Sequence, residues 1–281
     1  MKMDKAKGIW LTSCIYGFLL TLIFVVLFIC AGVGFGAFNS RSISRSIYGS
    51  EYYNKVYLEL MDKAGIDLEY TGLPRTVLED VITREKVYIA GKNYMEAALR
   101  GEAPEVNTGR LKEELTDKIN QYFKAKGMTG TLNFTSDVEQ VVNVIHQKYI
   151  DAISLPFLED FVSFRQGFFS VITYLVPLLI ILAGVLSYFL LRMHRYLHRG
   201  LRFIAYAVIS ATALMFVGMW FLRMRGSYAD AVTGPGYYHN FVTVYQKWSA
   251  IVFGYIGGIG VIISLILISF ISFLKNRLKS Y

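Results

Sequence analysis

Apolar residues are distributed along this chain in two different ways. Four long runs, Ile9 to Phe38, Phe168 to Leu191, Phe203 to Leu222 and Trp248 to Phe273, contain no Asp, Glu, Lys, Arg or His. A helix rises about 1.5 Å per residue and a bilayer's hydrocarbon layer is about 30 Å thick, so about 20 apolar residues suffice to cross it. Each run therefore predicts a membrane span. Residues 39–167 read differently, with charges of both signs and apolar residues at helical spacing. Leu111, Leu115, Ile119, Tyr122 and Phe123 define one amphipathic helix, and Val138, Val141, Val142, Ile145, Tyr149 and Ile153 define another.

Start and stop signals divide this segment further. Thr76 with Glu79, and Ser136 with Glu139, have capping-box spacing, while Gly65, Gly101 and Gly127 each follow a run of helix-forming residues where a terminating glycine would stand. The predicted helices cover 43–64, 76–82, 84–100, 108–126 and 136–166. Strand-like alternation is confined to a weak stretch at Thr129 to Phe134. Pro156 either separates two helices or kinks one nearly continuous helix that leads into the second span, where Pro177 is a further kink site. The predicted fold class is an all-α integral membrane protein, four transmembrane helices with an all-helical extracytoplasmic domain inserted between spans 1 and 2.

Charge orients this scheme. The chain is 54% hydrophobic and carries a formal net charge of +8, which alone would suggest nucleic acid. The charge sits at the span ends, however. Lys2, Lys5 and Lys7, then Arg192, Arg195, Arg199 and Arg202, then Lys275, Arg277 and Lys279 place ten basic residues against one acid, Asp4. Cytoplasmic loops carry the Lys and Arg excess. The predicted order is residues 1–8 cytoplasmic, 9–38 span 1, 39–167 extracytoplasmic, 168–191 span 2, 192–202 a cytoplasmic basic loop, 203–222 span 3, 223–247 an outer loop, 248–274 span 4 and 275–281 cytoplasmic. Arg223 and Arg225 argue mildly the other way. The same basic flanks also attract anionic headgroups. Nucleic acid is not an expected partner. Span 1 is about twice the 7–15 residues of a signal-peptide core, so it is expected to stay as an anchor.

Cys14 and Cys30 are the only cysteines and both fall in span 1, about 24 Å apart along a helix, so no disulfide joins them. An exported domain without disulfides suits a bacterial cell envelope. The glycosylation sequon Asn133-Phe-Thr135 carries no meaning in that setting.

Candidate chemistry is sparse. Small residues four apart, Gly32 with Gly36, Ala183 with Ser187, Ala207 with Ala211 and Gly254 with Gly258, let helices approach closely. Packing within the chain explains them first. Gly254, Gly257, Gly258 and Gly260 are the densest group, so span 4 is the first choice for a helix facing a partner or a second copy. His194 and His198 have metal-site spacing but stand among arginines without a carboxylate or thiol, which predicts a solvated pair. No buried acid marks a proton path in the spans, and no P-loop, HExxH or GxSxG occurs; the glycines of Gly32 to Gly36 lie inside an apolar run. No catalytic, cofactor or metal residues are assigned.

These features predict a non-enzymatic envelope protein whose helical ectodomain binds a partner or senses a condition, anchored in the lipid bilayer by four helices. The order of span, large exterior domain, span, short basic inner loop, span, short outer loop and span is similar to that of FtsX-like and MacB-like permeases. That resemblance covers architecture, with no shared residue motif, and implies a membrane subunit of an ATP-driven transport or export complex as the alternative. An enzyme acting on lipid or cell wall ranks third.

Overall fold

A computed structural model describes residues 2–106, 108, 110–127, 134–155, 157–224 and 236–277, apart from the side chains of 2–7 and 134–137. Among these residues the chain is helical and has no strand. The sequon at Asn133, the alternation from Thr129 to Asn133, the Ser136 half of a capping box, Pro156, Arg225, most of the outer loop and Lys279 lie outside the described residues. Two compact units are present: one comprises Met1–Ser46, Gln166–Gly234 and Val242–Tyr281, the other Ile47–Arg165 and Pro235–Phe241.

The first unit is built on four helices that are long and apolar enough to cross a membrane. They are α1 (Lys2–Gly32, extended by a π-helical turn at Val33–Ala37), the greater part of α8 (Leu158–Met193), α9 (Leu197–Met224) and α10 (Gly236–Arg277). Helix α1 is the hub. Leu20 and Ile23 pack with Ala183, Leu186 and Leu190 of α8 and Ala207 of α9. Gly17 faces Phe203 near the start of α9, and Gly32 faces Phe253 of α10. Ser13 meets His194 at one end of α8, while Phe38 lies 4.8 Å from Phe168 at the other. Hence α1 runs parallel to α9 and antiparallel to α8 and α10. The N-terminal end of α1, the α8–α9 turn and the C-terminal end of α10 share one end of the bundle.

Protein covers little of these helices: the apolar stretch ending in α8 is 6% buried and that of α9, the most enclosed, 33%. Trp10, Phe18, Tyr174, Ile181, Trp220 and Ile266 are among the large side chains left exposed. A water-soluble surface rarely bears apolar patches on this scale, so lipid is the natural covering.

The second unit is a helical body made of α3 (Tyr52–Tyr70), α4 (Thr76–Val81), α5 (Arg84–Arg100), α6 (Leu111–Ala125) and α7 (Phe134–Ile153), with the last residues of α2 (Ser40–Gly49) and the first turns of α8 and α10. Helix α3 is central and packs on α4, α5 and α7. Its Tyr52, Val56, Leu60, Ala64 and Leu68 recur every four residues and are all buried. Burying an aliphatic side chain of this kind contributes about 1.5–3 kcal/mol. Leu111, Leu115 and Ile119 of α6 and Val142, Ile145, Tyr149 and Ile153 of α7 face inward as their spacing predicts, whereas Tyr122, Phe123 and Val141 stay half-buried.

Four boundaries differ from the sequence reading. The 43–64 segment is two helices, because Glu51 takes a left-handed conformation (φ 53°) between α2 and α3. Gly65 lies inside α3, where the Arg75 side chain crosses it, with an added Cβ 2.9 Å from Nε; the chain turns later, at Gly72 (φ 76°). Thr76 caps nothing, since α4 is already helical at Arg75, with Val77 N–H donating to Pro74 O (3.2 Å). Thr83 does act as a cap, its hydroxyl accepting from Lys86 N–H (3.2 Å) on α5. Finally, α7 ends at Ile153 and α8 begins at Leu158, so 136–166 is not one helix. Gly101 (φ 80°) and Gly127 (φ 68°) end α5 and α6 as predicted.

One close approach inside this body is sharply constrained. Tyr53 lies flat against α5 and its hydroxyl donates to Gly91 O (2.7 Å); a Cβ on Gly91 would sit 2.0 Å from the ring. Gly91→Ala is expected to destabilise the protein by about 1–3 kcal/mol through overpacking. Gly184→Ala, where an added Cβ meets nothing within 4 Å, is expected to be near neutral. Unfolding of the detergent-solubilised protein, followed by thermal melting, checks both.

Candidate functional site

Three places in the molecule bring distinctive residues together. The first is the set of small residues between the apolar helices. A Cβ on Gly32 would lie 2.5 Å from Phe253 Cε1, and one on Gly36 would lie 3.3 Å from Val252 Cβ, so the end of α1 rides directly on α10. A Cβ added at Gly254, Gly257 or Gly260 would lie 2.7 Å from Met219, 3.0 Å from Phe216 or 2.3 Å from Thr212 of α9, respectively. Gly258 is different: nothing lies within 4 Å of its Cβ position. With about 3.6 residues per turn, Gly257 and Gly260 rotate to one side of Gly254 and Gly258 to the other. Ala183, Ala207 and Ala211 are buried.

Polar side chains of α10 complete this packing. Tyr245 Oη donates to Ala37 O (2.6 Å) and Gln246 Nε2 to Leu222 O (3.2 Å), which satisfies carbonyls at the ends of the π-helical turn and of α9. Such carbonyls have no partner within their own helix.

The second place is the end of the bundle that holds the α8–α9 turn. Ser13 Oγ donates to Ile9 O (2.7 Å), so it is the acceptor in its 3.0 Å bond with His194 Nε2. The ring of His194 also stacks on Phe203 with centroids 5.6 Å apart and planes at 10°. His194 is therefore a structural residue, and burial, with Arg199 beside it, pushes its pKa below the ordinary histidine value. Among the described residues no group of three His, Cys, Asp or Glu side chains is arranged to hold a metal ion.

Around the histidines, the arginines lean on aromatic rings. Arg192 donates to Tyr188 Oη (2.6 Å), and Arg195 and Arg199 lie 5.8 and 5.6 Å from the Tyr196 ring centroid. The apolar runs contain no acidic residue, and the side chain of Asp4, the one acid in the sequence near this end, lies outside the described residues. In the helical body, by contrast, Lys63, Arg75, Lys86, Lys118 and Lys148 are all paired with carboxylates.

The third place is the surface of the helical body. Asp67, Thr71, Leu73, Phe123, Val141 and Val144 are among the residues lining a groove of about 550 Å³ between α3, α6 and α7. Its wall is mainly apolar, and Val144 is 43% exposed at its edge. Elsewhere in this body, an aromatic cluster surrounds Tyr52. The rings of Tyr53, Tyr237, Tyr238 and Phe241 lie 5.2–5.9 Å from it, nearly all edge to face. Phe157 stacks on Phe241 at 5.3 Å. Aromatic pairs of this geometry contribute about 0.5–1.5 kcal/mol beyond area burial. The buried site raises the Tyr52 phenol pKa well above its usual value, first by desolvation and then through Tyr238, so it stays neutral. Sequence reading assigned 223–247, with Tyr237 and Tyr238, to an outer loop and did not find this cluster; the run of aromatics in Gly236-Tyr-Tyr-His-Asn-Phe241 was the signal.

No protein-family model, curated protein or solved structure matches this chain.

Two expectations follow. Gly32→Ile is expected to lower the melting temperature of the solubilised protein markedly, whereas Gly258→Ile leaves it within a few degrees; if position 258 faces a second copy, Gly258→Ile alone shifts the oligomer to monomer in light scattering. The second concerns pH. Because the folded state binds the His194 proton less tightly than the unfolded chain, its contribution is complete above about pH 6.5 and stability falls as the pH drops below it. Melting scans from neutral to mildly acidic pH are expected to show that slope, reduced in His194→Gln.

Proposed function

We propose that this protein is a multi-pass cell-membrane protein of a bacterial envelope, non-enzymatic, in which the helical body binds an exterior partner or senses a condition and the apolar bundle anchors and relays it. The carrying observation is that α8 and α10 each begin in the helical body and continue, without a break among the described residues, as candidate spans. No Gly/Ser linker intervenes in either helix. Such continuity suits a device that passes force or rotation along a helix axis.

In this reading both termini are cytoplasmic and residues 39–167 lie outside. Support comes from the shared end of the bundle: the α8–α9 turn with Arg192, Arg195, Arg199 and Arg202 and the end of α10 with Lys275 and Arg277 fall together, as the excess of cytoplasmic Lys and Arg requires. The groove between α3, α6 and α7 is the surface through which a partner's apolar side chains would dock; its volume lies within the roughly 300–1,000 Å³ of ordinary recognition pockets.

Gentle solubilisation of membranes is expected to recover an exterior partner, and Val144→Arg, at an exposed groove position, is expected to lose it with stability within about 0.5 kcal/mol of wild type. A Gly-Ser insertion after Gln166 is expected to abolish complementation of a deletion strain while leaving expression intact. Recovery of an ATPase instead, indifferent to Val144→Arg, would favour the transport-subunit alternative and sink this reading.

A further inference from the structure

At the end of the bundle that holds the α8–α9 turn and the end of α10, Arg199, Arg202 and Lys275 pair with no carboxylate among the described residues. Tyr188 lies against the guanidinium group of Arg192 and Tyr196 against those of Arg195 and Arg199. Arg199, Arg202 and Lys275, from two different helices, all act electrostatically on His198. The Nδ1 atom of His198 is buried and has no hydrogen-bond partner among the described residues. Asp4 is the one acid in the sequence segments that reach this end.

Location selects the counter-charge. These cations stand immediately beyond the apolar runs that end at Leu191 and Phe273 and begin at Phe203, the depth at which lipid phosphates lie. Guanidinium groups match phosphate oxygens in a two-bond fork, and aromatic rings beneath them keep the forks extended. Arg75, Lys86 and Lys148 of the helical body find their partners in Asp and Glu; at the bundle end the bilayer is the nearest source of an anion. We propose that Arg199, Arg202 and Lys275, with His198, form a binding site for the phosphate of an anionic phospholipid headgroup. The site belongs to the bundle unit alone and does not depend on the partner-binding role of the helical body.

The test uses the full-length protein in nanodiscs of phosphatidylcholine and phosphatidylglycerol, reading by native mass spectrometry which lipid stays bound. Wild type is expected to retain phosphatidylglycerol in excess of its share of the bilayer. Near a membrane each Lys or Arg is worth about fivefold in anionic-lipid affinity, so Arg199→Gln/Arg202→Gln/Lys275→Gln is expected to lose about a hundredfold. Lys86→Gln/Lys92→Gln/Lys118→Gln, in the helical body, is expected to keep the enrichment. Arg199→Lys/Arg202→Lys is expected to retain most of it, which separates loss of charge from loss of fold. Absence of enrichment in wild type overturns the proposal without recourse to any variant. So does equal enrichment in the Gln triple variant, or displacement of the lipid by an excess of inorganic phosphate, which would assign the site to a soluble anion.

Discussion

The peptide group cannot go unbonded where there is no water, and this constraint governs the long apolar helices. In the hydrocarbon layer every backbone N–H and C=O must find its partner within the protein, so an apolar run becomes a helix from end to end. The places where a helix cannot serve itself are its last turns, and there this chain supplies side chains: Tyr245 for Ala37 and Gln246 for Leu222. Thr173, Ser264 and Thr21 return their hydroxyls to carbonyls one turn back in the same helices. These three hydroxyls are thereby absorbed by backbone bonding.

Packing between these helices follows from the same constraint. Lipid is as apolar as the side chains it touches, so helices gain little by burying one another and associate where their backbones approach closely. Gly32 under Phe253, Gly254 under Met219 and Gly260 under Thr212 are such places. The helical body obeys water instead. There the four-residue stripe of α3 is buried by its neighbours, Tyr53 is locked onto Gly91, and charges are disposed in pairs. Carboxylates accompany Lys63, Arg75, Lys86, Lys118 and Lys148 in the helical body, while Arg192, Arg195 and Arg199 at the end of the bundle lie on tyrosine rings.

The legible part of this molecule was the part set by local composition and period. Uncharged runs predicted four apolar helices because length and hydropathy alone determine whether a segment suits the bilayer. The α6 and α7 faces followed from three- and four-residue spacing, and Gly101 and Gly127 from the left-handed turn only glycine enters easily. What failed had a non-local cause. Gly65 reads as a stop, yet it is held inside α3 by Arg75, ten residues on, which is also bonded to Glu69. Glu51 breaks a helix although its side chain gives no sign of a left-handed turn. Span 4 shows four glycines of equal promise in sequence, but only its rotation against α9 separates Gly258 from Gly254, Gly257 and Gly260.

The sequence by itself determined that this is a helical chain with four apolar segments, a mixed-charge body between the first two, and basic residues gathered at span ends, because these are properties of runs and periods that need no knowledge of neighbours. Tertiary structure alone decided that α1 is the hub of the bundle, that Tyr237, Tyr238 and Phe241 close around Tyr52, and that the α3, α6 and α7 surfaces leave a groove. Each of these depends on residues far apart in the chain meeting at a few ångströms, and such meetings are set by side-chain shape and helix rotation, which no linear pattern records.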